Sequence, residues 1–327
     1  MKTRKILNLI TTIKFYLNKF KILKKYFGYL IGKSELIRKL TWLINYYNKF
    51  DNPFEILFLL FNFRKNINIR FKNGFIFKDL NKKSWKYLVY YLNAINNGII
   101  INRIDNKIYA NFNGLKIRLL DQINGIYQIK EIFLDESYGV LDYNNKLVYD
   151  IGGFIGTSAL YFILKGAKRV NAFEVNRESY KTLIKNILNN ELSDRIIASN
   201  LGISNDYKED ILNITEIRGS TGFYTEFSTS INIIEKQKIK LVPFNSVLKE
   251  NIDILKIDCE GCEYAILSNI LEHNLIEKIN ESIILEAHNL NEERNPNYAK
   301  SLLYQIGFKQ IKSKKLTKDR EMIIAIK

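Results

Sequence analysis

Cysteine, proline and histidine are scarce in this chain of 327 residues, with two, three and two copies. Two cysteines, Cys259 and Cys262, cannot frame a secreted domain, so a reducing cytoplasm is the expected setting. Three prolines leave no Pro-rich linker. No segment reaches the roughly 18 apolar residues that a spanning helix needs; the run 56-ILFLLF-61 falls far short. Asn8, Thr11, Thr12 and Lys14 interrupt the apolar residues near the start, so a cleaved leader is not expected. Acidic residues are also outnumbered, 34 against 50 Lys and Arg, for a formal charge of +16.

That charge is unevenly placed. Residues 1–65 hold fourteen Lys and Arg against three acids, a surplus of eleven. The basicity therefore belongs to an N-terminal region, and the rest of the chain need not attract polyanions. Over 4–31, Ile6, Leu9, Ile10, Ile13, Leu17, Phe20, Leu23, Phe27 and Leu30 recur at helical steps, and Lys14, Lys19, Lys21, Lys24 and Lys25 fall mostly elsewhere. Two readings stand side by side: a basic amphipathic helix (residues 1–31) resting on an anionic inner membrane face, or a helix docked on its own domain with a solvated Lys face. Helices are also expected near 34–49 and 54–63, with Pro53 at the start of the latter. The usual nucleic-acid modules are absent, and no DNA partner is expected.

Residues 66–145 change character. Short β-like runs at 67–71, 99–104, 107–112 and 115–120 are punctuated by Asp105-Asn106 and Asn113-Gly114, with helices expected at 83–96 and 125–138. From residue 146 to 327, strands and helices alternate. Strands are expected at 147–151, 169–174, 195–199, 253–258 and 281–287, with an irregular insert at about 204–242. Two last strands, 307–312 and 321–326, flank a short turn and are expected to be antiparallel to each other. The predicted organisation is a basic helical region 1–65, a small α+β region 66–145 and a doubly wound, mostly parallel α/β domain 146–327.

In such a sheet the ligand lies beyond the carboxyl ends of the strands. Here those ends read 150-DIGGFIG-156, 174-EVN-176, 199-SNLG-202, 258-DCEG-261 and 286-EAH-288, rich in acids and poor in Lys and Arg. A triphosphate loop is excluded, because its lysine and hydroxyl are missing. An NAD site would share Glu174, the acid that accepts ribose hydroxyls. Asp150, just before the loop, would oppose a pyrophosphate and suit a cationic ligand such as S-adenosylmethionine. The expected cofactor-binding residues are Asp150, Gly152, Gly153, Gly156, Glu174, Val175, Asn176 and Asn200.

The run 148-VYDIGGFIGTSALYFILKGAKRVNAFEVN-176, together with 255-LKIDCEGCEYAIL-267, resembles the FkbM-type family of S-adenosylmethionine-dependent methyltransferases. The likeness covers about 148–287, with Gly153 where the family has another small residue and Val175 where it has Pro. It implies a seven-stranded Rossmann-like sheet and O-methylation, often of a sugar hydroxyl in a glycan or glycolipid. Asp258, Glu260 and His288 are the catalytic candidates, as acceptor-positioning groups or proton acceptors. An NAD-dependent oxidoreductase and an RNA methyltransferase using the basic N-terminus are the alternatives. The C-x-x-C of Cys259 and Cys262 has no partner cysteines for zinc and no thioredoxin-like context, so neither a metal site nor a redox role is expected. The insert segment 219-GSTGFYTEFSTS-230, with Phe223 and Tyr224, is an acceptor-pocket candidate or a plain surface excursion.

Overall fold

The computed structural model describes residues 35–215 and 233–327. The chain divides into two units, residues 1–89 and 90–327. The helix expected over 4–31 and the pocket residues expected at 219–230 lie outside the described residues. In the first unit, helices α1 (Glu35–Tyr46) and α2 (Glu55–Leu60) precede an antiparallel hairpin of β1 (Ile67–Arg70) and β2 (Ile76–Leu80). Its core is aromatic. Trp42 meets Trp85 edge-on at 4.8 Å between ring centroids, and Phe50 packs on Phe71 at 5.0 Å. Strand β2 was not foreseen, because 76-IFKDL-80 buries only Phe77 and Leu80 and reads as too polar for a strand. Helix α3 (Trp85–Asn96) carries the chain into the second unit.

There β3 (Ile100–Ile104), β4 (Lys107–Phe112) and β5 (Leu115–Leu119) form an antiparallel meander, turning at Asp105-Asn106 and Asn113-Gly114 as the sequence predicts. Helix α4 (Asn124–Gln128) follows and widens into a π-helical turn, Ile129–Leu134. Such widened turns are frequent at functional sites.

The large sheet starts with β6 (Leu147–Ile151), then α5 (Thr157–Leu164), β7 (Arg169–Phe173), α6 (Arg177–Asn189) and β8 (Ile196–Ser199). Strands β9 (Gly202–Ser204), β10 (Lys208–Thr215) and β11 (Ile233–Pro243) make a separate three-stranded sheet. This corrects the expectation of an irregular insert. Strand β11 alternates buried and exposed residues from Gln237 onward, with lysines on the open face, and the lysines disguised it. A short helix α7 (Phe244–Val247) leads to β12 (Ile252–Ile257), α8 (Glu263–Glu272), β13 (Ile279–His288), α9 (Pro296–Ile306), β14 (Gln310–Lys315) and β15 (Arg320–Ile326). The seven strands run in the order β14-β15-β13-β12-β6-β7-β8. Only β15 runs against the others: it is antiparallel to both β13 and β14, and the remaining pairs are parallel. The sheet is the mostly parallel, doubly wound one that the sequence predicts.

Central strands covered on both faces should be nearly continuous in apolar residues. β6 and β12 obey this, with Val148, Tyr149, Ile151, Ile254, Leu255 and Ile257 all buried. The exceptions are Asp150 and Lys256, which are register partners across β6 and β12. Asn186 of α6 ties the meander to this layer: its Oδ1 accepts from the Arg118 N–H at 2.6 Å, and its Nδ2 donates to the Arg118 and Ile155 carbonyls.

Candidate active site

Strand order reverses between β6 and β12, because the connections leave β6 toward β7 on one side and return to β12 on the other. Ligands in open α/β sheets bind beyond the strand ends at this switch point. The residues there are Asp150 and Ile151 at the end of β6, the turn Gly152 to Gly156 after it, and Asp258 to Gly261 after β12. The two loops touch. The Asp258 N–H donates to the Ile151 carbonyl at 3.0 Å. Gly152 has φ +79°, and a Cβ there would lie 1.7 Å from the Asp258 carbonyl oxygen. Only glycine fits, and the crowding partner is the neighbouring loop. Gly153 donates to the Phe173 carbonyl, packs beside Leu183 and Ala172, and accepts from the Gly156 N–H at 2.7 Å to close the turn.

Asp150 is fully buried and is not a free acid facing the crevice. Lys256 Nζ lies 2.9 Å from its Oδ1, and Ser158 donates to its Oδ2 at 2.6 Å. Lys256 also donates to the Gly152 carbonyl at 2.8 Å, which ties the glycine turn to β12. Burial works against a charged Lys256, but Asp150 and Asp258 outweigh it and raise its pKa. The sequence motifs alone give Lys256 no role. A lone cation inside the apolar run 252-IDILKI-257 was the available signal.

Glu174, at the end of β7, is also buried. Its two oxygens accept from the Phe154 N–H at 2.8 Å and the Asn176 N–H at 2.7 Å. Burial still pushes its carboxyl up to about 7. The neighbouring expected residues serve the turn that holds it. The Asn176 side chain caps α6 by accepting from the Glu178 and Ser179 N–H groups. Asn200 Nδ2 donates to the Glu174 and Val175 carbonyls. Val175 packs on the small β9–β11 sheet.

Acids gather at the far side of the crevice. Asp258 accepts from the Tyr138 hydroxyl at 3.1 Å. Glu260 sits at φ +54° in the turn out of β12, and its Oε2 lies 3.3 Å from His288 Nε2. Glu286 accepts from Arg320 at 2.6 Å. Glu263, fully buried, accepts from the His288 backbone N–H at 2.9 Å and holds His288 Nδ1 at 2.8 Å. From the π-helical turn, Glu131 accepts from the Tyr127 hydroxyl at 3.2 Å. Burial pushes Glu131 up to about 8, with Glu286 and Asp258 adding to the effect. Burial likewise holds Glu260 at about 7, against the pull of His288. Burial disfavours a charged imidazole at His288, yet Glu263, Glu260 and Glu286 push it up to about 10. Glu286 is legible in the sequence as a strand-end acid and Glu263 as an acid opening the next helix, but Glu131, Tyr138 and Arg320 carry no such signal. These three come from segments outside the strand-end motifs, and sequence spacing gives no hint that they meet the others.

Cys259 and Cys262 are joined by a disulfide across the same turn. The sequence reading had set a redox role aside, and the two sulfurs are in fact bonded to each other.

The strand order and its switch point define a Rossmann-like, doubly wound α/β sheet. Residues 150–311, just under half of the chain, match the model of the methyltransferase FkbM domain, which supports an S-adenosylmethionine-dependent methyltransferase. A solved methyltransferase FkbM from Methylobacillus flagellatus KT is 17% identical, with a TM-score of 0.41 over 63% of this chain and 54% of that one. The chain thus spans about half the length of that relative. The magnesium protoporphyrin IX methyltransferase of Synechocystis PCC 6803, solved with bound SAM, is 9% identical, with a TM-score of 0.36 over 61% of this chain and 77% of that one. Uncharacterized protein 158B of Sulfolobus islandicus rod-shaped virus 1 is 26% identical over 122 residues, which is 37% of this chain and 73% of the viral protein.

Proposed function

We propose that the protein transfers a methyl group from S-adenosylmethionine to a hydroxyl of a sugar in a glycan or glycolipid. When bound, the donor supplies an electrophilic methyl group on a cationic sulfur. The observation that carries the reading is the charge of the crevice. Asp258, Glu260, Glu263, Glu286 and Glu131 meet there, five carboxyl groups against three basic side chains, Arg320, His288 and Lys256, among the described side chains that contact or act on them. Such a crevice favours a cation and disfavours a pyrophosphate. Glu174 accepts the two ribose hydroxyls, since each of its oxygens has spent one lone pair on a backbone N–H and keeps another. Gly152, Gly153 and Gly156 shape the turn beneath. Asp258, partly exposed at the mouth, orients the acceptor hydroxyl. Glu260 beside it takes the proton as the new O–C bond forms.

A cleft of about 560 Å³ opens one residue past His288, lined by Asn289, Asn291, Glu292, Asn297, Lys315 and Arg320 among others. Amide and charged side chains at this density suit a polyhydroxylated ring better than an apolar one. The experiment is transfer of labelled methyl groups from S-adenosylmethionine to fractionated cell extract. Label should enter carbohydrate or glycolipid. Glu260→Gln should abolish it while S-adenosylhomocysteine still binds. Label confined to RNA or protein would overturn the acceptor class.

A further inference from the structure

The ends of β12 and β13 bring together Asp258, Glu286 and His288, with one ligand atom from each lying within 4.8 Å of the others. That is the spread of a coordination sphere: donors on opposite sides of a cation, each bound at about 2.0–2.4 Å, lie roughly 4–5 Å apart. Two further observations point the same way. The first is the support given to each donor. Metal-binding histidines nearly always have their second ring nitrogen held by a carboxylate or carbonyl, and ligating carboxylates are themselves hydrogen-bonded. Here the buried Glu263 holds His288 Nδ1 at 2.8 Å and so turns Nε2 toward the acids. Arg320 donates to Glu286 at 2.6 Å, and Tyr138 donates to Asp258 at 3.1 Å. The second observation is access. His288 and Glu286 are buried, whereas the Asp258 side chain is 28% exposed, which leaves one side open for entry and for a further ligand.

We propose that Asp258, Glu286 and His288 Nε2 bind one divalent cation, which takes the place of the Nε2 proton and of the Lys256 ammonium 3.9 Å from Asp258, and that the acceptor hydroxyl completes its coordination. The site departs from the metal-free expectation drawn from sequence, which considered only the C-x-x-C. Two carboxylates and one imidazole suit Mn²⁺ or a similar first-row dication, because carboxylates favour the harder and imidazole the softer end of that series. A cation-bound hydroxyl loses its proton more easily. The proton passes to Glu260, the oxygen bonds to the methyl carbon, and the carbon–sulfur bond breaks. This role of the cation rests on the methyl-transfer reading, whereas its binding does not.

The test is electron paramagnetic resonance of Mn²⁺ titrated into the chelator-treated full chain. One bound Mn²⁺ per chain is expected, with ¹⁴N modulation in its spin-echo spectrum from His288. Asp258→Asn and His288→Ala should each weaken binding at least tenfold. Glu263→Gln should weaken it about 10- to 100-fold by releasing the imidazole. Absence of stoichiometric Mn²⁺, or bound Mn²⁺ without nitrogen coupling, overturns the site, and both readings come from the unmutated chain. Nitrogen-coupled Mn²⁺ in a chain that does not bind S-adenosylhomocysteine supports the site and removes the methyl-transfer role assigned to it.

Discussion

Glu174 keeps a proton up to about pH 7 because it is buried, although two backbone N–H groups favour its charged form. Its folded pKa is raised above the ordinary value of 4.5. Its contribution to stability is therefore fully present below about pH 4.5 and is lost as pH rises through 7, by roughly 3 kcal/mol in all. Denaturant midpoints measured from pH 5 to 8 should fall less steeply in Glu174→Gln than in the wild type. Affinity for S-adenosylhomocysteine should move the other way and weaken below pH 7, because the ionised form is the better acceptor for ribose hydroxyls. Lys256 makes a second residue-scale case. Lys256→Met leaves Asp150 charged and buried without its partner, at a cost of about 3–5 kcal/mol. Urea unfolding should show that loss, and the Asp150→Asn, Lys256→Met double variant should lose less. Asp150 was legible as an important acid. Its partner was not, because register across β6 and β12 decides that they meet.

Elements with strong periodicity were readable to within a few residues. β6 was expected at 147–151 and is found there, and β7 was expected at 169–174 and ends at Phe173. What failed were strands whose open face is charged. β11 reads 233-IIEKQKIKLVP-243, and its inward Ile239 and Leu241 are masked by alternating lysines. The π-helical turn at Ile129–Leu134 was read as helix, without the widening that carries Glu131. The turn between β12 and α8 is an element in its own right, with Glu260 and Gly261 at positive φ inside a Cys259–Cys262 bridge. A bridge closing so short a loop adds only about 2 kcal/mol. Cys259→Ser with Cys262→Ser should therefore lower the thermal midpoint by several degrees and leave the fold intact by circular dichroism. Unfolding of the double variant at ambient temperature would contradict this.

At the scale of the whole molecule, charge is segregated. Most of the +16 lies in residues 1–65, while the crevice beyond β6, β12 and β13 is crowded with acids. Among the described residues no helix is long and apolar enough to cross a membrane. The surface contact proposed for residues 1–31 rests on charge alone. Binding of the full chain to anionic vesicles should fall steeply between 50 and 500 mM salt, values chosen to shrink the screening length from over 10 Å to about 4–5 Å. Changing Lys14, Lys19, Lys21, Lys24 and Lys25 to Gln should remove it. Equal sedimentation of this variant and the wild type would dispose of the idea.

The claim beneath all of this is that an acid-crowded crevice at the β6–β12 switch point receives a sulfonium donor rather than a pyrophosphate. Calorimetric titration of the full chain with S-adenosylhomocysteine, and separately with NAD, probes it most directly. The prediction is one saturable site for the thioether, weakened roughly 10- to 150-fold in Glu174→Ala by loss of a charge-assisted hydrogen bond, and no heat from NAD. Saturable NAD binding with none of the thioether would contradict it.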